Sequence, residues 1–231
     1  MDGTGDCGPA YGVSAHYLGA KGREYFALQS ADAVLNGEIE SHKFQRYIRP
    51  DDVVIDFGCG GGYVLKALRC ARRIGVEVNP HARSVAIANG IECYERLEDV
   101  PDRIADAAIS NHALEHVPYP IEALRQLKEK VKPGGMVIVC VPMEDWRAWR
   151  DYNPQDVNHH LQTWNAQTLG NTLAEAGFEV TPARIRILTH CWPPRFHGFL
   201  YRHLPLVTFD WLCALCARVL RRRQLLAVLR A

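Results

Sequence analysis

Short apolar runs alternate along the chain with stretches whose apolar positions recur at helical spacing. Val53, Val54, Ile55 and Phe57 form a β-branched run broken at once by glycines, so it reads as a buried strand ending in a tight turn, with a helix from about Tyr63. Ile74 to Val78 makes a second strand. Pro80 is placed to start a helix that Gly90 ends, and Ile91 to Tyr94 makes a third strand. Ala105 to Ser110 gives a fourth strand and a helix starts at Ile121; Met136 to Val141, nearly all apolar, reads as a central fifth strand. Asn165 opens a helix that Gly177 stops, and Phe178 to Leu188 returns as a sixth strand. Leu204, Val207, Trp211, Leu215 and Val219 recur at helical spacing, and Gln224 to Leu229 reads as a closing strand. Strands and helices in alternation imply an α/β domain.

Two segments stand outside this pattern. Residues 1–50 read as an N-terminal loop with cap helices ahead of a domain over 51–231. The chain looks helical after Gly22, with Tyr25, Phe26, Leu28, Leu35, Ile39, Phe44 and Ile48 supplying apolar surface. Residues 143–164 form an irregular insertion with three tryptophans, Tyr152, His159 and His160. Such side chains in a loop suggest a lid facing substrate.

The candidate chemistry begins at the first strand. Gly58, Gly60, Gly61 and Gly62 let the backbone approach a ligand closely, and the amides they expose favour a negatively charged group. Glu77, at the tip of the second strand and 21 positions after Asp56, suits a ribose diol. A dinucleotide fingerprint is incomplete, because Tyr63 stands where its third glycine belongs. That weakens a dehydrogenase reading. Asp56-Phe57-Gly58-Cys59-Gly60-Gly61-Gly62 followed by Glu77 resembles the first two motifs of the class I S-adenosylmethionine-dependent methyltransferases, small-molecule branch.

The resemblance spans Val53 to Pro142 and implies a Rossmann-like fold: a doubly wound, seven-stranded, mostly parallel sheet ending in an antiparallel hairpin. It implies S-adenosyl-L-methionine as cofactor, held by Asp56, Gly58, Gly60, Glu77, Asn79 and Asn111, with Leu97 and Glu98 of the segment ERLEDVPD near the adenine. Asn111, Glu115 and His116 resemble an N-x-x-x-E-H segment of the same branch. Asp156, His159, His160 and Trp164 resemble its D-x-x-H-H-L-x-x-W element. Methyl transfer to a hydroxyl gains from a base of near-neutral pKa, which makes His116, His159 and His160 the catalytic candidates. Tyr25 and Gln29, four apart on one helical face, join His112 and Trp164 as substrate-facing candidates.

Composition narrows partners more than chemistry. A formal net charge of +1 gives no argument for nucleic acid. The N-terminus lacks a basic segment followed by an apolar one, and eight scattered cysteines suit packed thiols, so a cytoplasmic location is expected. Cys213 and Cys216 form a lone C-x-x-C, and neighbouring histidines rarely point to one place. No metal is therefore expected, with metal-assisted transfer through the histidines and Glu115 as the minor route. The late apolar helix, beside Arg221, Arg222 and Arg223, allows contact with a membrane surface or a second copy. The function these features imply is methyl transfer to a small-molecule acceptor, a hydroxyl being preferred. The alternative is a cofactor-binding scaffold or partner module without turnover.

Overall fold

The computed structural model describes residues 11–29, 32–143, 152–189 and 196–231. Trp146, Trp149, Cys7 and Cys191 lie outside them. Seven strands form one sheet: β1 Val53–Phe57, β2 Arg72–Val76, β3 Glu92–Tyr94, β4 Ala105–Asn111, β5 Val131–Met143, β6 Ile185–Thr189 and β7 Arg223–Arg230. Their order is β3-β2-β1-β4-β5-β7-β6. All neighbours are parallel except β7, which runs antiparallel to both β5 and β6. The α/β class, the seven strands and the late hairpin thus agree with expectation.

Strand alternation divides the core into two. Ile55, Phe57, Ile74, Val76, Val137 and Val139 belong to one buried cluster, with Leu124, Leu127, Leu169 and Leu173 from α5 (Pro120–Lys130) and α6 (Ala166–Glu175). Val54, Ala107, Ile109, Ile138 and Cys140 belong to the other, with Leu65 of α3 (Tyr63–Ala67) and Ala86 of α4 (Pro80–Ala88). Each strand feeds both sides because successive side chains point to opposite faces.

Several boundaries differ from the pattern reading. The chain before β1 forms a 3-10 turn, Ala15–Tyr17, and two helices, α1 (Gly19–Gln29) and α2 (Ala33–Gln45). β6 starts at Ile185 and not at Phe178, because Pro182 opens a 3-10 turn that cannot continue a ladder. Phe178 packs into the core instead. Pro205 divides the late helical stretch into α7 (His197–His203) and α8 (Leu206–Leu220).

β1 pairs with β2 on one side and β4 on the other, so the winding reverses between β1 and β4. Open α/β sheets bind ligands outside the strands' C-terminal ends at such a point. Gly58 takes φ +77°, and a Cβ there would come within 2.4 Å of the Ala113 Cβ, so only glycine lets the loops after β1 and β4 approach this closely.

Candidate active site

A cavity of about 390 Å³ opens at this switch point. Its floor is Asp56 to Gly61 after β1, Val76 to Val78 after β2, and Asn111 to Ala113 after β4; Tyr11 to Ser14, Tyr17, α1 and α2 roof it. Asp56, Gly58, Gly60, Glu77, Asn111, His112, His116, Tyr25 and Gln29 all line it. Asn79, Leu97, Glu98, His159, His160 and Trp164 are not among its lining residues.

The Glu77 carboxylate is fixed by the loop it faces. It accepts from the Gly60 amide and the Asn79 amide, each at 2.8 Å. Burial raises its pKa, and those two amides work against the rise. Asp56 is buried, and among the described residues its Oδ1 has no hydrogen-bond partner. Burial, with Glu77 nearby, pushes its pKa up to about 8. Asn111 likewise keeps a buried Oδ1 without a partner. A buried orphan acceptor is costly, so these two atoms mark where a donor or a cation belongs.

His116 sits at the other end of the cavity among aromatic side chains. Its Nδ1 lies 2.6 Å from the Tyr17 hydroxyl and its Nε2 3.5 Å from the Tyr25 hydroxyl. Gln29 donates to that same Tyr25 oxygen at 2.5 Å. Burial lowers the His116 pKa to about 4, leaving a neutral ring. Behind it the Glu115 carboxylate is 1% exposed. His112 Nδ1 stands 3.5 Å from Glu115 Oε1, and His112 Nε2 bonds Gln224 Oε1 at 3.0 Å. Burial acts to lower the His112 pKa, but the Cys140 and Glu115 side chains outweigh it and the group ends well above the usual histidine value. His112, φ +54°, thus faces a buried carboxylate.

The lid histidines separate. His160 meets His116 edge-to-face at 4.8 Å between ring centroids. Ligand atoms of Glu115, His116 and His160 all lie within 4.8 Å of one another, a set able to hold a metal ion. His159 instead stacks on His16 at 4.5 Å.

Other candidates serve structure. Trp164 is buried in the core, bridged to Met143. Leu97 is fully buried, and Glu98 accepts from Gln126 at 3.1 Å. Asn79 caps α4 through the His81 amide at 3.0 Å and donates to the Gly22 carbonyl at 2.8 Å, which ties α4 to α1.

A family model described as a methyltransferase domain matches residues 31–183. The chain belongs to the methyltransferase domain family. Among curated relatives, the ubiquinone biosynthesis O-methyltransferase of Aliivibrio fischeri (strain ATCC 700601 / ES114) is 32% identical over 96 residues, 36% of this chain and 41% of the relative. The chain thus spans about two fifths of the length of that relative. Solved structures of the same fold include an S-adenosylmethionine-dependent methyltransferase of Thermotoga maritima, described as a possible histamine N-methyltransferase. It has a TM-score of 0.57, 22% identity and coverage of 74% of this chain and 81% of that one. Another, from Archaeoglobus fulgidus, has a TM-score of 0.58 and 15% identity, with coverage of 90% and 99%.

The residues present fit the methyl donor of such methyltransferases. Glu77 keeps lone pairs for a diol, the glycine loop lines the cavity without side chains to fill it, and the Oδ1 atoms of Asp56 and Asn111 have no donor among the described residues. Pattern reading of this methyltransferase missed Tyr17, Tyr63 and Glu40, which also line the cavity. Tyr63 carries a local signal, because it directly follows the glycine loop, but Tyr17 and Glu40 come from segments whose place over the sheet is set by tertiary packing.

Proposed function

We propose that this methyltransferase moves a methyl group from S-adenosyl-L-methionine to a hydroxyl of a small acceptor, with His116 as the base. The observation that carries the reading is an imidazole just past a strand tip, lining the same cavity as the glycine loop and Glu77. When bound, the cofactor supplies a methyl already activated on sulfur. Glu77, with the glycine loop that braces it, holds the donor, and the cap formed by the 3-10 turn, α1 and α2 covers it. Nε2 of His116 takes the hydroxyl proton, and the Glu115 carboxylate behind the ring stabilises the imidazolium that forms. Tyr17, Tyr25 and Phe26 give the acceptor an apolar, aromatic wall. Similarity to a protein named as an O-methyltransferase supports a hydroxyl. Incubation with methyl-labelled donor and a panel of phenols and alcohols tests this. Label in the small-molecule fraction is the expected result, and label confined to protein or nucleic acid would refute it.

A metal-assisted variant has one observation in its favour, the Glu115, His116 and His160 group. A divalent ion there would polarise the acceptor oxygen in place of a free base. Turnover that survives exhaustive chelation excludes it; turnover lost and restored by added metal establishes it.

The late helices also carry a surface suited to anionic lipid. On α8, Val207, Trp211 and Val219 are 81%, 63% and 75% exposed, with Leu215 in the same row. From Phe196 to Arg223 the chain carries five arginines against Asp210 alone. An apolar row edged by cations is the pattern of a helix lying in a membrane interface. Among the described residues no helix is long and apolar enough to cross a membrane. α7 also contacts the cap, with His42 of α2 at 2.8 Å from the Tyr201 hydroxyl. The six described cysteines are free thiols, which supports a cytoplasmic, reducing setting. Co-sedimentation with anionic vesicles should be lost in Trp211→Asp; equal sedimentation with neutral vesicles, or a dimer that buries the row, would sink the lipid assignment.

A further inference from the structure

The phenol of Tyr17 has three polar neighbours and one proton. Its oxygen lies 2.6 Å from Nδ1 of His116, 3.0 Å from the Asn158 carbonyl oxygen and 3.2 Å from the His159 carbonyl oxygen. A carbonyl only accepts, whereas a neutral imidazole nitrogen donates or accepts according to its tautomer. Were the phenol to give its proton to Nδ1, two carbonyl oxygens would face a third oxygen with no hydrogen between them. With the ring proton on Nδ1, the ring donates to the phenol oxygen and the phenol donates to the carbonyls. Only the second arrangement leaves no repulsive oxygen pair. Nε2 is then the bare nitrogen, on the side of the Tyr25 hydroxyl.

We propose that Tyr17 is a positioning residue: through the lid carbonyls of Asn158 and His159 it holds His116 in the Nδ1-protonated tautomer and leaves Nε2 to receive the acceptor's proton. The inference rests on His116 being the base. It adds a condition that the base assignment lacks, because the carbonyls belong to the lid. His16 grips the same stretch, its Nε2 3.1 Å from the Val157 carbonyl oxygen and its ring stacked on His159. With that stretch lifted, the phenol's proton has no carbonyl to meet and turns to Nδ1, and the ring proton moves to Nε2. The base is therefore armed only when cap and lid are seated on each other.

The test is a long-range proton–nitrogen correlation spectrum of protein labelled with 15N-histidine, His116→Ala supplying the assignment. In the wild type at about pH 7.5, His116 should show a protonated Nδ1 and a bare Nε2. In Tyr17→Phe the proton should shift to Nε2 or average between the nitrogens. Turnover should fall roughly ten- to a hundredfold, with affinity for the demethylated cofactor changed less than about twofold. A wild-type ring protonated at Nε2, a Tyr17→Phe spectrum like the wild type's, or a shifted tautomer at full turnover would each overturn the proposal. The wild-type spectrum needs neither a folded variant nor a known acceptor, so it decides the tautomer even where the base reading itself fails.

Discussion

Asp56→Asn should make the protein more stable and a poorer binder of its cofactor. Asp56 is 2% exposed, its Oδ1 has no partner among the described residues, and its pKa stands at about 8 where an ordinary aspartate has 3.8. Between those values the unfolded chain has lost the proton and the folded chain still holds it. The stability contributed by the protonated form is fully present below about 3.8 and is lost as pH rises toward about 8, at roughly 1.4 kcal/mol per unit. By pH 7 the loss reaches about 4 kcal/mol as an upper bound. Asparagine never ionises, but its amide brings its own buried polar atoms, so a net gain of about 2 kcal/mol is expected. In a chain of this size that raises Tm by about 4–8 °C. Thermal unfolding followed by circular dichroism from pH 5 to 8.5 reads the effect, and the gap between variant and wild type should widen with pH. Calorimetry in buffers of different ionisation enthalpy should show proton release on donor binding in the wild type and less in the variant. A variant less stable than wild type at pH 7.5, or a gap that does not change with pH, would refute the reasoning.

Glu77→Gln exchanges a charged acceptor for a neutral one and should weaken donor binding about ten- to a hundredfold by calorimetry; unchanged affinity would remove its role at the diol. His116→Ala should lower turnover about a hundredfold at constant donor affinity. Because burial holds His116 near 4, the wild-type rate should stay level from pH 6 to 8 and fall only as pH drops through about 4, where the ring gains a proton. A rate limb near the usual histidine value would contradict that burial. Trp164→Phe removes a buried N–H that has no partner among the described residues. It should cost less than about 1 kcal/mol in denaturant unfolding, and a loss several times larger would mean that the N–H is satisfied.

The strands were legible because their β-branched runs end at glycine or proline, and the strand-tip chemistry because it is local. Asp56, Gly60 and Glu77 fall within one crossover, and His112 and His116 within one turn. What pattern reading lost depends on chain segments folding back. Tyr17 reaches His116 across 99 positions and the lid carbonyls across more than 140. No periodicity encodes such meetings. Leu97 and Trp164 show a different limit: an apolar letter beside a motif does not say whether its side chain points to a ligand or to the core, and both side chains are buried. β6 was drawn too long because its apolar residues continue through Pro182, where the backbone lacks a donor.

The order of the sheet constrains how the chain is made. β7 follows the other six strands in chain order, yet it fills an interior slot, and Leu225 to Leu229 are all buried. Until residues 223–230 leave the ribosome, β5 presents an open edge and β6 has no neighbour at all. Nascent chains halted before that point would be sticky intermediates in need of a chaperone, and the sheet can close only once synthesis has reached its final strand.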